Sequence, residues 1–289
     1  MLNGNLKVAV QKKGRLTDKS LQLLRSCGLD IEEYSERLIV TARNYELDLL
    51  FLRDDDIPEY VQDGVADIGI VGYDVVKERN AEIEVLRHLG FGKCRLMMAI
   101  PEEQDIESVE NLQGKRIATS FPAIVKEYLN ANKIEAKVIE ISGSVEIAPS
   151  LGVADLICDL VSTGNTLKLN KLKKTFTVFE SDAVLIGNKN LNLDESKWKL
   201  LASLLTRIDS VLKARNSKYL MMNVPKDNLD EIKNVLPSLK SPTIVPLADE
   251  SMLAVHAVIP TDTFWQINEK LKSAGASGIL LLAIENMIL

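Results

Sequence analysis

Asp155-Leu-Ile-Cys-Asp159-Leu-Val-Ser-Thr-Gly-Asn-Thr-Leu167 is the stretch of this sequence that decides the fold. Its apolar residues favour a buried strand. The small hydroxylated residues that follow offer backbone N–H groups and hydroxyls at the expected start of a helix, where anions are favoured. Carboxylates on the strand can accept hydrogen bonds from the vicinal hydroxyls of a ribose while the loop holds a phosphate on the same sugar. The stretch therefore predicts a sugar-phosphate site, although a strand, a polar turn and a helix cap produce the same pattern.

The two acids and the loop are the residues that this interpretation assigns to substrate binding: Asp155, Asp159, Ser162, Thr163, Gly164, Asn165 and Thr166. The loop lacks the Gly-Lys-Ser/Thr ending of a Walker A motif, and it lacks the three spaced glycines of a dinucleotide-binding fingerprint. Neither of those two nucleotide-binding classes is therefore indicated.

Composition excludes several other classes of protein. The chain has 289 residues and a formal net charge of −6, which predicts two or three domains and argues against a nucleic-acid surface. Met1–Val10 lacks the apolar core and cleavage site of a secretory signal, and no apolar run approaches the length of a membrane span, so we expect a cytoplasmic protein. The three cysteines and two histidines show neither a Cys-x-x-Cys pair nor a zinc-binding spacing.

Strands alternate with helices through the first two thirds of the chain, which predicts an α/β fold. We expect two α/β lobes that enclose a cleft. Residues 1–100 and 181–215 would form the first lobe, and residues 101–180 would form the second lobe with the phosphate loop. Residues 216–289 show the order βαββαβ, which is the ferredoxin-like pattern. This third domain shows no acid–base constellation, so we expect it to bind an effector, another subunit or both.

Further candidate residues follow the strands of the first lobe, where open α/β sheets bind their ligands. The cations expected to meet a polyphosphate at these strand ends are Lys13, Arg15 and Arg53. Gly72 and Asp74 follow the third strand, where the glycine permits close backbone approach and the aspartate serves either a ligand or a helix cap. Glu146 precedes the phosphate strand and is expected either to face the cleft or to cap the next helix.

Taken together, these segments resemble one family, the ATP phosphoribosyltransferases. The segments in the first two thirds of the chain that carry the resemblance are Lys13-Gly-Arg-Leu16, Arg53-Asp-Asp-Asp-Ile-Pro58, Asp67-Ile-Gly-Ile-Val-Gly72, Gly114-Lys-Arg-Ile-Ala-Thr119, Gly143-Ser-Val-Glu146 and Asp155–Leu167. The segments that resemble the regulatory domain of the long form are Lys218-Tyr-Leu-Met-Met222, Ser241-Pro-Thr-Ile-Val-Pro-Leu247, Val255-His-Ala257 and Ala274-Gly-Ala-Ser-Gly-Ile-Leu280. Six catalytic segments in this order are far more specific than any one of them.

The resemblance implies a fold, a reaction and its ligands. The catalytic part would resemble a type II periplasmic-binding protein, followed by a ferredoxin-like regulatory domain. The enzyme would transfer the phosphoribosyl group of phosphoribosyl pyrophosphate to N1 of ATP, with Mg²⁺, as the first step of histidine biosynthesis. Histidine would inhibit it, and dimers would assemble into hexamers.

The resemblance also implies a role for each candidate residue. The loop Ser162–Thr166 would bind the 5-phosphate, Asp155 and Asp159 would bind the ribose hydroxyls, and the three cations would neutralise the polyphosphate and the leaving group. Gly72 and Asp74 would lie on the nucleotide side, and Arg37 would reach the leaving group of a neighbouring subunit. The residues expected around histidine are Asn223, Leu239, Thr243 and Gly278. Some relatives place an acid where this chain has Asn223, so the ionic part of the attraction to histidine is lost here.

Three alternatives to this function stay open. A regulatory module that uses the third domain alone would leave the motif-rich first two thirds of the chain unexplained. A solute-binding protein has the same two-lobed architecture, but it normally carries an export signal and needs no sugar-phosphate loop. A different phosphoribosyltransferase is the nearest alternative. The usual acidic pair before a Thr-Gly-Gly/Asn-Thr loop is only partly matched here, by Asp159 and Leu160. The identity of the acceptor base therefore depends on the resemblance.

Overall fold

The computed structural model of this chain describes residues 4–32, 37–161, 165–189, 195–237, 239 and 241–288. The chain forms two compact units: an N-terminal unit of residues 1–22 and 29–200, and a C-terminal unit of residues 23–28 and 201–289. We expected residues 181–215 to join the first lobe, but the residues from 201 onward belong to the C-terminal unit, because their contacts are made there. None of the described helices is long and apolar enough to cross a membrane.

In the described part of the chain, the N-terminal unit contains eleven of the strands, the start of the first helix and the four helices that follow it. The strands are β1 (Leu6–Gln11), β2 (Ile39–Thr41), β3 (Leu47–Leu52), β4 (Ile68–Gly72), β5 (Glu84–His88), β6 (Cys94–Pro101), β7 (Arg116–Thr119), β8 (Lys137–Glu140), β9 (Leu156–Val161), β10 (Leu172–Ser181) and β11 (Ala183–Gly187). The helices are α1 (Thr17–Ser26), α2 (Ile57–Gln62), α3 (Tyr73–Arg79), α4 (Pro122–Ala131) and α5 (Asn165–Leu169).

Two sheets divide the N-terminal unit into a first lobe and a second lobe. The first sheet has the order β2-β3-β1-β4-β11-β5, and the second has the order β10-β6-β9-β7-β8. In each sheet, three parallel strands lie beside one antiparallel strand, β11 in the first and β6 in the second. This shared order is the arrangement of type II periplasmic-binding proteins, and it confirms the expected fold.

The boundary between the lobes lies earlier than we expected. β6, Cys94–Pro101, pairs with β9 and β10 and therefore belongs to the second sheet, whereas we had placed residues 1–100 in the first lobe. The chain thus crosses from the first lobe to the second between β5 and β6. It returns between β10 and β11, close to Asp182.

The parallel strands at the centre of each sheet are buried on both faces, which explains their nearly continuous apolar sequences. All five residues of β4 and all five of β11 are buried. In the second lobe, one face of β9 packs through Leu156 and Cys158 on the cluster that includes α4, while Ile157 and Val161 point to the opposite face. The two sheets therefore form separate cores.

The C-terminal unit confirms the βαββαβ order. It contains most of α6 (Glu195–Arg215), followed by β12 (Ser217–Pro225), α7 (Leu229–Val235), β13 (Thr243–Pro246), β14 (Met252–Pro260), α8 (Phe264–Ser273) and β15 (Ser277–Ala283). The four strands form one antiparallel sheet in the order β13-β14-β12-β15. Leu220, Met222 and Val224 alternate along β12 with less buried residues, and their side chains join a core that includes Leu271 of α8.

Candidate active site

The loops that follow β1, β3 and β4 meet at one edge of the first sheet. These three strands are neighbours and run parallel, so their carboxyl ends lie side by side. The backbone N–H of Lys12, just after β1, donates to the carbonyl oxygen of Leu52 at the end of β3 (2.7 Å). Arg15 donates from Nη2 to Oδ2 of Asp74, which follows β4 (3.4 Å). The structure therefore brings the three predicted loops together.

The three predicted cations in these loops differ in their surroundings. Lys13 and Arg53 are exposed, so their charges face solvent. Arg15 is paired with Asp74, and its side chain remains 41% exposed. The turn between Lys13 and Arg15 depends on Gly14, where a Cβ atom would come within 2.5 Å of the Gln11 side chain. The edge thus carries two solvent-facing cations and a third that is held by a carboxylate.

A buried polar cluster lies behind this edge. Asp74 is only 1% exposed, and its Oδ1 accepts a hydrogen bond of 2.6 Å from the hydroxyl of Ser181, which ends β10. The backbone N–H of Asp74 in turn donates to the same hydroxyl oxygen (2.9 Å). Asp74 and its neighbour Gly72 therefore belong to the protein interior, and Asp74 links the first lobe to the returning strand. Because both residues are buried, neither is proposed to contact the nucleotide.

Asp54 is the unusual member of this cluster. Its Oδ1 is buried, and no described residue donates a hydrogen bond to it. Burial, together with the charge of Asp74, raises the pKa of Asp54 from 3.8 to about 6, although Arg15 opposes the change. The acidic run Asp54–Asp56 gives no sign in the sequence of which carboxylate turns inward.

Asp159 and Glu146 come together at the edge of the second sheet. Asp159 lies near the end of β9, and its Oδ1 accepts a hydrogen bond of 2.7 Å from the N–H of Leu160. Burial raises the pKa of Asp159, and the negative charge of Glu146 raises it further, although the Leu160 hydrogen bond lowers it. Glu146 lies in a short 3₁₀ helix, Val145–Ile147, that contacts β9.

The phosphate loop follows directly after β9. Ser162, Thr163 and Gly164 lie outside the described residues. Asn165 and Thr166 begin α5, and both are exposed. Asp159 therefore lies within a few residues of the segment that we assigned to the 5-phosphate.

Asp155 lies at the other end of the same strand and has a different partner. Its Oδ1 accepts a hydrogen bond of 2.8 Å from Nη2 of Arg116, and its Oδ2 accepts one of 2.8 Å from the backbone N–H of Arg116. The hydrogen bonds from the Arg116 side chain and backbone lower the pKa of Asp155. Because four strand residues span about 13 Å, Asp155 and Asp159 share a face without sharing a site. We therefore leave Asp155 out of the proposed ribose contacts.

A cavity of about 470 Å³ lies where the chain crosses between the lobes. It is lined by Lys93, Cys94, Arg95, Val161, Glu180, Ser181 and Asp182. Val161 is the last residue of β9, so the cavity reaches the start of the phosphate loop. Sequence reasoning missed its two cations, Lys93 and Arg95. The signal that could have found them is the pair Gly90 and Gly92, both with positive φ, immediately before Lys93.

Among the described residues, no group of three or more His, Cys, Asp or Glu side chains is placed to hold a metal ion. Magnesium does not require such a group, because it commonly binds one or two carboxylates together with substrate phosphates.

The predicted effector residues in the C-terminal unit do not form a single cluster. Gly278, with φ of +56°, lies so close to Asn223 that an added Cβ would be 3.4 Å from the Asn223 amide nitrogen. Thr243 lies on the edge strand β13. The backbone N–H of Leu239 donates to Val258 (3.2 Å), and Leu239 lines a separate cavity of about 230 Å³. The structure thus brings Asn223 and Gly278 together and leaves Leu239 apart from them.

Comparison with known proteins agrees with this arrangement. Residues 53–210 match the family model described as HisG: ATP phosphoribosyltransferase, and residues 214–286 match the model described as HisG, C-terminal domain. The ATP phosphoribosyltransferase of Cytophaga hutchinsonii is 47% identical over 98% of this chain and 98% of its own length. That of Phocaeicola vulgatus is also 47% identical, over 98% of this chain and 100% of its own length.

A solved structure adds to these matches. A chain of the ATP phosphoribosyl transferase (HisG:HisZ) complex from Thermotoga maritima is 30% identical, with a TM-score of 0.59 over 71% of this chain and 98% of that chain. The two family models match most of the two-lobed unit and most of the ferredoxin-like unit. The chain therefore belongs to the ATP phosphoribosyltransferase family, whose members transfer the phosphoribosyl group of phosphoribosyl pyrophosphate to ATP in the first step of histidine biosynthesis.

Proposed function

We propose that this chain carries out that transfer between the facing edges of its two lobes, and that its C-terminal unit binds histidine. The observation that carries the catalytic part is that Asp159 lies near the end of β9, just before the phosphate loop, while the short helix of Glu146 contacts the same strand. A carboxylate pair next to an anion-binding loop fits a ribose that bears both hydroxyls and a phosphate. Family membership supplies the acceptor, ATP.

The second lobe would hold phosphoribosyl pyrophosphate. Asp159 would accept hydrogen bonds from the ribose hydroxyls, and the loop Ser162–Thr166 would donate to the 5-phosphate. For Asn165 and Thr166, exposure at the start of α5 supports this role. Burial raises the pKa of Asp159 because it disfavours the charged carboxylate. The arrival of the sugar would change that environment, which suits Asp159 as a ligand for the ribose.

The first lobe would hold the polyphosphate and receive the leaving group. N1 of adenine attacks C1 of the ribosyl group as pyrophosphate departs, so negative charge grows on the leaving oxygens. Lys13 and Arg53, which face solvent at adjacent strand ends, would neutralise that charge. Arg15 would assist from its position on Asp74. No covalent nucleophile is needed, since holding two reactants in line contributes roughly 7–11 kcal/mol.

Mg²⁺ would bind through substrate phosphates and the Asp159–Glu146 carboxylates, where it would supply positive charge to the leaving pyrophosphate. The protein groups would still orient both substrates and exclude water from the cleft. An enzyme that consumes ATP and phosphoribosyl pyrophosphate would act in the cytoplasm.

The C-terminal unit would bind histidine near Asn223 and Gly278. The Asn223 carbonyl oxygen would accept a hydrogen bond from the ligand's ammonium group, with less affinity than a carboxylate offers. Leu239 and Thr243 would complete the pocket only if another subunit or a movement of the 239–243 segment brings them to it. This requirement agrees with the dimers and hexamers that the family resemblance implies.

One assay tests the catalytic proposal. The protein is incubated with phosphoribosyl pyrophosphate, Mg²⁺ and ATP, and formation of N1-phosphoribosyl-ATP is followed by absorbance. Adenine, orotate and quinolinate are offered in turn as alternative acceptors. We expect turnover with ATP alone. Turnover with one of the three other acceptors, and none with ATP, would assign the chain to a different phosphoribosyltransferase activity.

A further inference from the structure

α4 in the second lobe begins without a cap from its own chain neighbours. Its N-cap residue, Phe121, makes no side-chain hydrogen bond to the helix. The first backbone N–H groups of any helix have no partner inside the helix. Here those of Ala123 and Ile124 donate to the carboxylate of Glu78, at 2.9 and 3.1 Å from Ala123 and 3.1 Å from Ile124. Glu78 belongs to α3, so the first lobe caps a helix of the second.

The other end of α3 is also tied to the second lobe. Asp74, in its first turn, shares two hydrogen bonds with Ser181 at the end of β10. The ring of Tyr73 lies 5.4 Å from that of Phe179 on the same strand. α3 therefore contacts the second lobe through its first turn at the crossing and through Glu78 near its far end.

We propose that Glu78 is a positioning residue that fixes the angle between the two lobes. Glu78 lies four residues, or ~6 Å, beyond Asp74 along the helix axis. A hydrogen bond is lost when its atoms separate by about 1 Å more, which corresponds to a rotation of roughly 10° about the Asp74–Ser181 pair. The contact with α4 thus permits only small rotations.

The angle matters because each lobe carries half of the proposed site, and this step rests on the function proposed above. Arg53 and Lys13 lie on the first lobe, and Asp159 lies on the second. With Glu78 in place, the free protein already holds these halves at the spacing that accepts both substrates. Without it, the competent arrangement becomes a fraction of the population, and apparent affinity falls by that same fraction.

The test compares Glu78→Ala and Glu78→Gln with Glu127→Ala. Glu127 is an exposed carboxylate on α4, so Glu127→Ala controls for the loss of one negative charge close to that helix. For Glu78→Ala we expect KM for both substrates to rise roughly tenfold, equivalent to about 1.4 kcal/mol, with kcat within a factor of two. Glu78→Gln keeps one acceptor oxygen and should fall between Glu78→Ala and the wild type. Glu127→Ala should match the wild type.

Lobe motion is measured independently of turnover. Spin labels at Glu59→Cys on α2 and Asn130→Cys on α4, both exposed positions, report the distance between the lobes. Cys27, Cys94 and Cys158 are buried and should remain unlabelled. We expect one narrow distance distribution with Glu78 present and a broad one in Glu78→Ala.

The outcomes separate this proposal from the proposed function. A distance distribution that stays narrow in Glu78→Ala overturns the positioning role, whatever the kinetics. A broadened distribution with KM unchanged overturns the link to substrate binding, since the lobe angle that Glu78 fixes would then not limit affinity. A broadened distribution in a protein that turns over no substrate, even as wild type, supports the role of Glu78 in lobe geometry and rejects the proposed function instead.

Discussion

Replacing Asp54 by Asn should stabilise the protein at pH 8 and do much less at pH 4.5. Oδ1 of Asp54 is buried with no hydrogen-bond donor among the described residues. Burial and the charge of Asp74 raise the pKa of Asp54 from 3.8 to about 6, while Arg15 acts in the opposite direction. The folded protein thus binds this proton more tightly than the unfolded chain does. Asn keeps the size of the side chain and has no charge at any pH.

The direction and size follow from the two pKa values. Between pH 4 and pH 6 the folded state carries more protons at Asp54 than the unfolded state, so stability falls as pH rises through this window. A shift of about two units corresponds to about 3 kcal/mol for the fully ionised group. Asp54 retains some exposure to solvent, so we expect about 2 kcal/mol at pH 8, and about a third of that at pH 4.5.

Thermal melting of the full chain at the two pH values measures this difference. For a unit of about 200 residues, about 2 kcal/mol corresponds to a rise of roughly 4–8 °C in Tm at pH 8. Asp55→Asn is the matched control, because Asp55 is exposed and paired with Arg79 at 3.3 Å. Equal shifts of Tm at both pH values, or a lower Tm for Asp54→Asn at pH 8, would refute the reasoning. The second outcome would mean that Asp54 stabilises Arg15 by more than its burial costs.

Four further substitutions test the proposed site. Asp159→Asn should lower kcat/KM for phosphoribosyl pyrophosphate roughly ten- to hundredfold with little change in Tm, because charged hydrogen bonds of about 1.5–3 kcal/mol are lost. Asp155→Asn should instead lower Tm and leave turnover unchanged. If Asp155→Asn impairs turnover and Asp159→Asn lowers Tm, the roles of the two residues are exchanged. Arg53→Lys should lower kcat with Tm unchanged, because the planar fork is lost while the charge stays; a variant with full kcat would remove Arg53 from the site. Gly278→Ala should weaken histidine binding, measured by calorimetry, since its Cβ enters the space beside Asn223 at a backbone φ of +56°; unchanged binding would place the effector elsewhere.

Local patterns were sufficient to predict most of the elements. The apolar runs at Leu6–Gln11 and Leu156–Val161 are strands, and the βαββαβ order of the last domain is confirmed. The lobe boundary was wrong because Cys94–Pro101 has the same apolar character whichever sheet it joins. Its paired residues in β9 and β10 lie 58 or more positions further along the chain, and such pairing leaves no mark in local periodicity.

The candidate site was partly accessible to sequence reasoning. The meeting of the Lys13 and Arg53 loops follows from parallel neighbours whose carboxyl ends share an edge. Strand parity correctly put Asp155 and Asp159 on one face, but it could not show that Arg116, 39 residues earlier, holds Asp155. The capping of α4 by Glu78 likewise depends on a tertiary contact between distant segments, and no sequence motif indicates such a contact.

The position of the antiparallel strand β11 determines the order in which the two lobes can fold during synthesis. The second lobe, Cys94–Ser181, is continuous in sequence and contains all five of its strands, so it can fold as soon as it leaves the ribosome. The first sheet cannot close, because Ala183–Gly187 must enter between β4 and β5, which were made earlier. At roughly 5–20 residues per second, the ~100 residues that separate β5 from the end of β11 take on the order of 5–20 s to synthesise. During that interval β4 and β5 both lack the strand that pairs with them, and such unpaired edges are prone to aggregation.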